Sequence, residues 1–209
     1  MIVTSIEQQK KDKSRYSVFI DGQFAFGLSA TDIAYFKIKE GAEIYDETYR
    51  YITDTLVYIK AQDTALKFLS YKMRTEKEIV KKLYEKEFSE EIIAKVMAFL
   101  HKYGYVNDRK YCEAYIKESV RLKAKGRQLI KYELRERGIS DSIISEAFEN
   151  TEIDEVSSAV KLLRKKVRDF SDMDFKTKQK YFAMLQRKGY GYDVIKEAFS
   201  IASSDEYAE

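Results

Sequence analysis

The stretch "RQLIKYELRERGISDSIISEAF", Arg127 to Phe148, decides how the chain is read. Ile130 and Leu134 stand four apart and so share one helical face. Gly138 can adopt the left-handed conformation that ends a helix, and Ser140 can accept the first backbone N–H groups of the next one. Ile143, Ile144, Ala147 and Phe148 then return at helical spacing. The stretch predicts two helices meeting at a tight turn.

Working outward, the same pattern is written three times. Leu134 lies 51 residues after Leu83, and Leu185 lies 51 after Leu134. Five residues after these leucines come Phe88, Ile139 and Tyr190. Ile92-Ile93, Ile143-Ile144 and Val194-Ile195 follow, then Val96-Met97, Ala147-Phe148 and Ala198-Phe199. Ile79, Ile130 and Tyr181 stand four before. Gly189 serves the third copy as Gly138 serves the second, whereas the first copy has Glu87 there. A further helix precedes each pair, because Ala65, Cys112 and Ala159 recur every 47 residues, as do Leu69, Ile116 and Leu163. Self-similarity of this kind marks a repeat architecture of three-helix units. The fold expected is mainly α, with three tandem copies.

The first residues read differently. In "RYSVFIDGQFAFGLS" two β-rich runs flank Asp21-Gly22, a strong hairpin signal because both turn positions need positive φ. Val18 and Ile20 are expected to alternate on one strand and Phe24 and Phe26 on the other. A short helix capped by Ser29 or Thr31 should follow and stop near Gly41, with residues 42–44 returning as a third strand. The expected organisation is an α+β module at 1–45, a linker helix and first repeat at 46–107, a second repeat at 108–150, a third at 151–203 and a disordered tail at 204–209.

The joint between the first two copies is "YGYVNDRKYCEAYI", Tyr103 to Ile116. Gly104 lets one helix end, Tyr105 and Val106 are expected to form an apolar plug, and Asn107 or Asp108 caps the next helix. These three, Gly104, Asn107 and Asp108, are read as structural.

Composition narrows the class. The chain has 209 residues with 44% hydrophobic and 35% charged residues and no proline, a helix-friendly globular mixture. No apolar run approaches the ~20 residues of a membrane span, and the N-terminus lacks the apolar core of a signal peptide. One cysteine permits no intrachain disulfide, which fits a cytoplasmic setting. The net charge of +3 hides bands. Residues 108–138 hold ten Lys/Arg against five Asp/Glu, 139–160 hold none against six, and 161–188 hold ten against three. Two basic blocks around an acidic one point to a polyanion-facing surface.

The joint together with "KGRQLIKYELRERGIS" resembles the RecX family of regulatory proteins. That resemblance covers about residues 60–200. It implies tandem three-helix repeats, binding to the RecA recombinase filament, and weaker binding to single- and double-stranded DNA. It further implies inhibition or remodelling of RecA-driven strand exchange, ATP hydrolysis and coprotease activity in the SOS response and DNA repair.

An enzyme is not expected. His101 is the one histidine and Cys112 the one cysteine, so this chain cannot form a Cys/His zinc site. There is no phosphate-binding loop of Walker type and no serine nucleophile elbow. No metal, cofactor or membrane partner is predicted, and the chain is expected to be a monomer. The candidate residues for DNA or filament contact are Arg121, Lys123, Lys125, Arg127, Lys131 and Arg135 in the second copy and Lys161, Arg164, Lys165 and Lys166 in the third. Arg127, Lys131 and Arg135 form one stripe at spacing four. The competing readings are a stand-alone DNA-binding protein of helix-turn-helix-like pairs and a helical scaffold without nucleic-acid contact. Base readout would need an exposed helix bearing Asn, Gln and Arg, and the last helix of the second copy is acidic instead.

Overall fold

The structure is a computed structural model that describes residues 1–10, 12–167, 170 and 173–204. It divides into two compact units, Met1–Asn107 and Asp108–Glu209. The tail predicted at 204–209 lies outside the described residues apart from Ser204, which ends a helix.

The first unit opens with a three-stranded antiparallel sheet, β1 (Val3–Gln8), β2 (Arg15–Ile20) and β3 (Gln23–Ser29), in that spatial order. The hairpin turn is as its residues dictate: Asp21 has φ 49° and Gly22 φ 79°. Two expectations change. The third strand is β1 at the N-terminus, while the 42–44 segment contributes only an isolated bridge between Ile2 and Glu43. Val18 pairs with Phe26 but Phe19 pairs with Phe24, so Ala25 is an extra residue, a bulge. The bulge shifts the alternation by one, as an inserted residue must. Val18 and Phe26 are therefore buried, while Phe24 turns outward and meets Phe19 edge to face at 5.9 Å.

Helix α1 (Ala30–Tyr35) is held by a capping box in which Ser29 and Asp32 satisfy each other's backbone N–H. It ends at Phe36, before Gly41, and Lys37 takes the positive φ of 53°. A long helical run follows: α2 (Asp46–Tyr51), a π-helical stretch Ile52–Val57 and α3 (Tyr58–Tyr71). The first repeat is α3, α4 (Glu76–Glu85) and α5 (Glu90–Lys102). Its core is continuous with the inner sheet face and includes Val18, Leu28, Ile79, Leu83, Val96 and Leu100.

The second unit holds α6 (Asp108–Lys123), α7 (Arg127–Glu136) and α8 (Asp141–Glu149), then α9 (Glu155–Lys166), α10 (Phe175–Arg187) and α11 (Tyr192–Ser204). Leu83, Leu134 and Leu185 are each fully buried, as are Ala65, Cys112 and Ala159. The repeat pattern in the sequence is thus the core pattern of the fold.

The three tight turns are also one motif. Phe88 N donates to Leu83 O, Ile139 N to Leu134 O and Tyr190 N to Leu185 O, at 3.3, 3.2 and 3.2 Å. The residue before each has positive φ: Glu87 at 57°, Gly138 at 86° and Gly189 at 89°. A non-glycine residue there costs on the order of 1–2 kcal/mol. Glu87 has a tertiary reason to be present, because its carboxylate accepts from the Ser17 hydroxyl at 3.0 Å and so ties β2 to the α4–α5 turn.

Candidate nucleic-acid and partner interface

At the joint, Gly104 has φ 68° and Tyr105 N donates to Leu100 O at 2.9 Å, which closes α5. Val106 is buried as expected of a plug, but Tyr105 is 53% exposed and its ring stacks on Phe99 at 5.9 Å. The plug is one residue, because the left-handed turn at Gly104 sends the tyrosine outward. Asn107 occupies the position just before α6, and Asp108 lies in its first turn, where a carboxylate favours the helix dipole. The counterpart of Asn107, 47 residues on, is Asp154, which caps α9 by accepting from Ser157 N at 2.8 Å. The Ser157 hydroxyl and backbone N–H, both donating to it, hold the Asp154 carboxyl below its usual range.

Cys112 sits fully buried among Ile116, Ile130 and Leu134. Burial first, then the charges of Glu113 and Asp108, push its thiol up to about 11, so it is protonated and inert at neutral pH. His101 lies in the last turn of α5 with Nε2 3.5 Å from Glu76. Among the described residues no group of three His, Cys, Asp or Glu side chains is placed to hold a metal ion. No described helix is long and apolar enough to cross a membrane.

The basic candidates fall into two sets. In the first, each cation has a carboxylate. Lys123 pairs with Glu118 at 2.6 Å, and Arg135 with Asp141 at 2.6 Å. Lys125 is only 17% exposed and is bound to Glu133, which also accepts from Tyr115 Oη at 2.6 Å. Burial opposes ionisation of Glu133, but the hydrogen bonds from Lys125 and Tyr115 and the charges of Lys125 and Arg137 outweigh it and hold its carboxyl low. Arg127 leans on Glu155 at 3.5 Å, and its backbone N donates to the same carboxylate at 2.7 Å. Glu155 therefore caps α7 from α9, which is why the side-chain-less Gly126 can stand at the N-cap.

In the second set, Arg121, Lys131, Lys161, Lys165 and Lys166 have no ion pair among the described residues. All but Lys131 are exposed. Lys131 lies half-buried with its ammonium 5.7 Å from the Phe148 ring centre. Arg164 is exposed on α9 beside Lys165 and Lys166. Arg168 lies outside the described residues. The stripe of Arg127, Lys131 and Arg135 is a stripe in the structure too, but its outer members are already neutralised.

The second and third copies lock together through glycine. Gly126 N donates to Lys188 O at 2.8 Å and Gln128 N to Gly189 O at 3.0 Å. A Cβ on Gly126 would collide with the Gly189 carbonyl, and one on Gly189 with the backbone of Leu129. Sequence alone marked Gly189 as a turn but held no sign that Gly126 meets it 63 residues away.

Four family models of regulatory protein RecX match in tandem: the N-terminal domain at residues 1–45 and the first, second and third three-helix domains at 61–100, 107–147 and 152–199. A regulatory protein RecX of Clostridium perfringens is 36% identical over 99% of both chains. The chain belongs to the RecX family of regulatory proteins. Among other RecX relatives, that of Bacillus subtilis is 35% identical over 94% of this chain and 75% of its own length. A crystal structure of regulatory protein RecX superposes with a TM-score of 0.62 at 31% identity, covering 94% of this chain and 98% of that one. One of RecX from Lactobacillus salivarius gives 0.64 at 29% identity, covering 70% and 97%. RecX membership makes the chain a regulator by family, built of three three-helix domains behind a small sheet.

Proposed function

We propose that the chain is a non-enzymatic cytoplasmic regulator that binds the RecA recombinase filament on DNA and restrains its strand-exchange, ATPase and coprotease activities. Membership of the RecX family carries this reading, since the family is one of regulators. The unpaired cations of the second unit support it. Arg121, Lys131, Lys165 and Lys166 have no ion pair among the described residues, and Lys161 acts on Asp154 only through its charge, so together they leave cationic surface of the kind that phosphates or an acidic protein groove require. Lys123, Lys125, Arg127 and Arg135 contribute less, because a partner must first displace their carboxylates.

The test is the rate of ATP hydrolysis by RecA on single-stranded DNA with rising amounts of the protein. A RecA rate that falls as the protein is added is expected, with no ATP or DNA turnover by the protein alone. An unchanged RecA rate at saturating protein refutes the reading.

A further inference from the structure

The turn that follows the middle helix has different settings in the first and third copies. In the third it is covered, because Gly126 N donates to Lys188 O and Gln128 N to Gly189 O. In the first, the equivalent residues Glu87, Phe88 and Ser89 border an open cleft of about 330 Å³. Strand β3 and the helical run from Tyr49 to Val57 line the rest of it. Phe24, Ala25, Phe26 and Gly27 line it in succession, so the strand presents its backbone edge there, because side chains on one face would alternate. That edge is an outer one, since among the described residues the ladder of β3 runs to β2 alone.

Three departures from regular backbone meet at this cleft. Ala25 is the bulge of β3, Ile52–Val57 is π-helical, and Glu87 has φ 57° where the other two copies have glycine. Features of this kind gather at functional sites, since each gives up regular hydrogen bonding or conformational ease. The side chains they bring together are of two kinds. Phe24, Phe26, Tyr49 and Phe88 are aromatic, while Asp54, Glu87 and Glu91 are carboxylates set against Arg50. Glu87 is half-buried and takes the Ser17 hydroxyl on one oxygen at 3.0 Å. Asp54 and Glu91 are exposed at the mouth, where Lys95 reaches them at 3.2 and 2.9 Å. Exposed pairs of that kind are weak and exchange readily with another cation.

Two of the lining residues already hold a guanidinium. Arg15 Cζ lies 4.7 Å from the Phe88 ring centre, and Arg15 Nη2 donates to Gly27 O at 2.9 Å. A planar cation set over a ring and bonded to an acceptor is the chemistry this surface takes. We infer that the cleft is a binding pocket for a further guanidinium on a short apolar stem. Glu87, Asp54 and Glu91 accept its N–H groups, and the aromatic side chains pack against its plane and stem. A guanidinium suits the pocket better than an ammonium, because it is planar, stacks on rings and is more weakly hydrated. A space of about 330 Å³ stands at the small end of ligand pockets, room for one such group rather than for a folded segment. Two sources carry this chemistry, a free small cation and the arginine side chain of another protein. The pocket lies in the first unit, which the proposed function leaves without a ligand.

The experiment titrates the isotope-labelled full chain and follows the backbone amide resonances of Gly27, Thr53 and Ser89, beside a thermal melt. The probes are methylguanidinium chloride, tetramethylammonium chloride at equal ionic strength, the peptide Gly-Ser-Arg-Ser-Gly and its counterpart with Gln in place of Arg. Saturable shifts of the three amides are expected with methylguanidinium or with the arginine peptide, and not with tetramethylammonium or the glutamine peptide. Glu87→Gly restores the residue of the equivalent turns, removes the carboxylate and should weaken guanidinium binding by about tenfold or more. Asp54→Asn, at an exposed position, should weaken it by a smaller factor with an unchanged melt, and it serves if loss of the Ser17 contact disturbs the first variant. An arginine peptide that saturates at lower concentration than methylguanidinium upholds the pocket and assigns it to a side chain of a partner protein. Saturation by methylguanidinium at equal or lower concentration upholds it and assigns a free small cation. The inference is overturned if neither guanidinium probe gives a saturable shift at the cleft, if tetramethylammonium shifts the same amides equally, or if both variants bind as the parent does.

Discussion

Helices α7 and α10 hold equivalent places in neighbouring copies, and both present arginines and lysines outward. In α7 both arginines are closed into the protein, Arg127 onto Glu155 and Arg135 onto Asp141, with the flanking Lys125 bound to Glu133, while Lys131 lies over the Phe148 ring. In α10 they have no ion pair among the described residues, and the positions of Glu133 and Asp141 are taken 51 residues on by Met184 and Tyr192. The difference teaches that a repeat conserves what it buries and is free to vary what it shows. Leu134 and Leu185 sit at one core position with no exposure, while the exposed residue two further on changes sign from Glu136 to Arg187. One copy is built as a joint and the other as a contact.

The joint role of the second copy can be broken at its closest approach, which gives the largest effect. Gly189 needs its positive φ and also has the backbone of Leu129 where a Cβ would go. Gly189→Ala should cost roughly 3 kcal/mol or more, from 1–2 for the left-handed alanine plus overpacking against a backbone that cannot rotate away. Gly138, at φ 86° in the equivalent turn, supplies the control. Gly138→Ala should cost only about 1–2 kcal/mol. Urea denaturation of the two variants checks the difference. Equal costs would mean that the Gly126–Gly189 contact does not hold the copies together.

A middle-sized effect is expected at the ion pair behind α7. Glu133→Ala leaves Lys125 and Tyr115 without their shared acceptor and should cost about 1.5–3 kcal/mol at neutral pH, the range for hydrogen bonds to a charged group. The folded-state carboxyl is held below its unfolded value, so its contribution is fully present above the unfolded pKa of about 4.3 and fades as pH falls through the folded one. The gap in stability between parent and variant should therefore be flat from pH 7 down to about 5 and narrow below about 4. A gap that persists unchanged at acid pH would assign the cost to lost packing rather than to charge.

How much of this could be read from the chain follows from the range of the forces involved. Burial is written locally: Leu83, Leu134 and Leu185 advertise the core because helical period fixes which residues share a face. The Asp21-Gly22 turn was legible for the same reason, since two adjacent residues carry its geometry. Ala25 was not, because a bulge is a relation between two strands and each strand alone still alternates. The third strand is hidden because "VTSIEQ" reaches β2 across the six residues 9–14, which carry no two-residue turn signal. The ten candidate cations were visible as charges, and five of them prove to lie without an ion pair among the described residues. Which five depends on carboxylates brought in by folding, such as Glu155, 28 residues from Arg127. Charge is a property of composition, whereas availability of charge is a property of the fold.

The smallest effect tests that last distinction. Arg135 and Asp141 are 53% and 69% exposed, so their 2.6 Å pair stands in water, is screened by salt and holds two long side chains in one arrangement. Exposed pairs of this kind contribute about 0–1 kcal/mol. Arg135→Gln should then change stability by no more than about 0.5 kcal/mol. Its effect on DNA affinity should also be small, because a phosphate binding Arg135 must first compete with Asp141. Asp141→Asn is the sharper variant. It removes the competitor and leaves the helix start intact, since Ser140 caps α8 by accepting from Ile143 N. If availability is what separates α7 from α10, Asp141→Asn should raise affinity for duplex DNA and steepen the salt slope by up to about one unit. Anisotropy across a salt series reads both quantities. An Asp141→Asn protein with the parent's slope would mean that α7 faces away from DNA whatever its charges do, and the contrast between the two helices would then lie in orientation rather than in pairing.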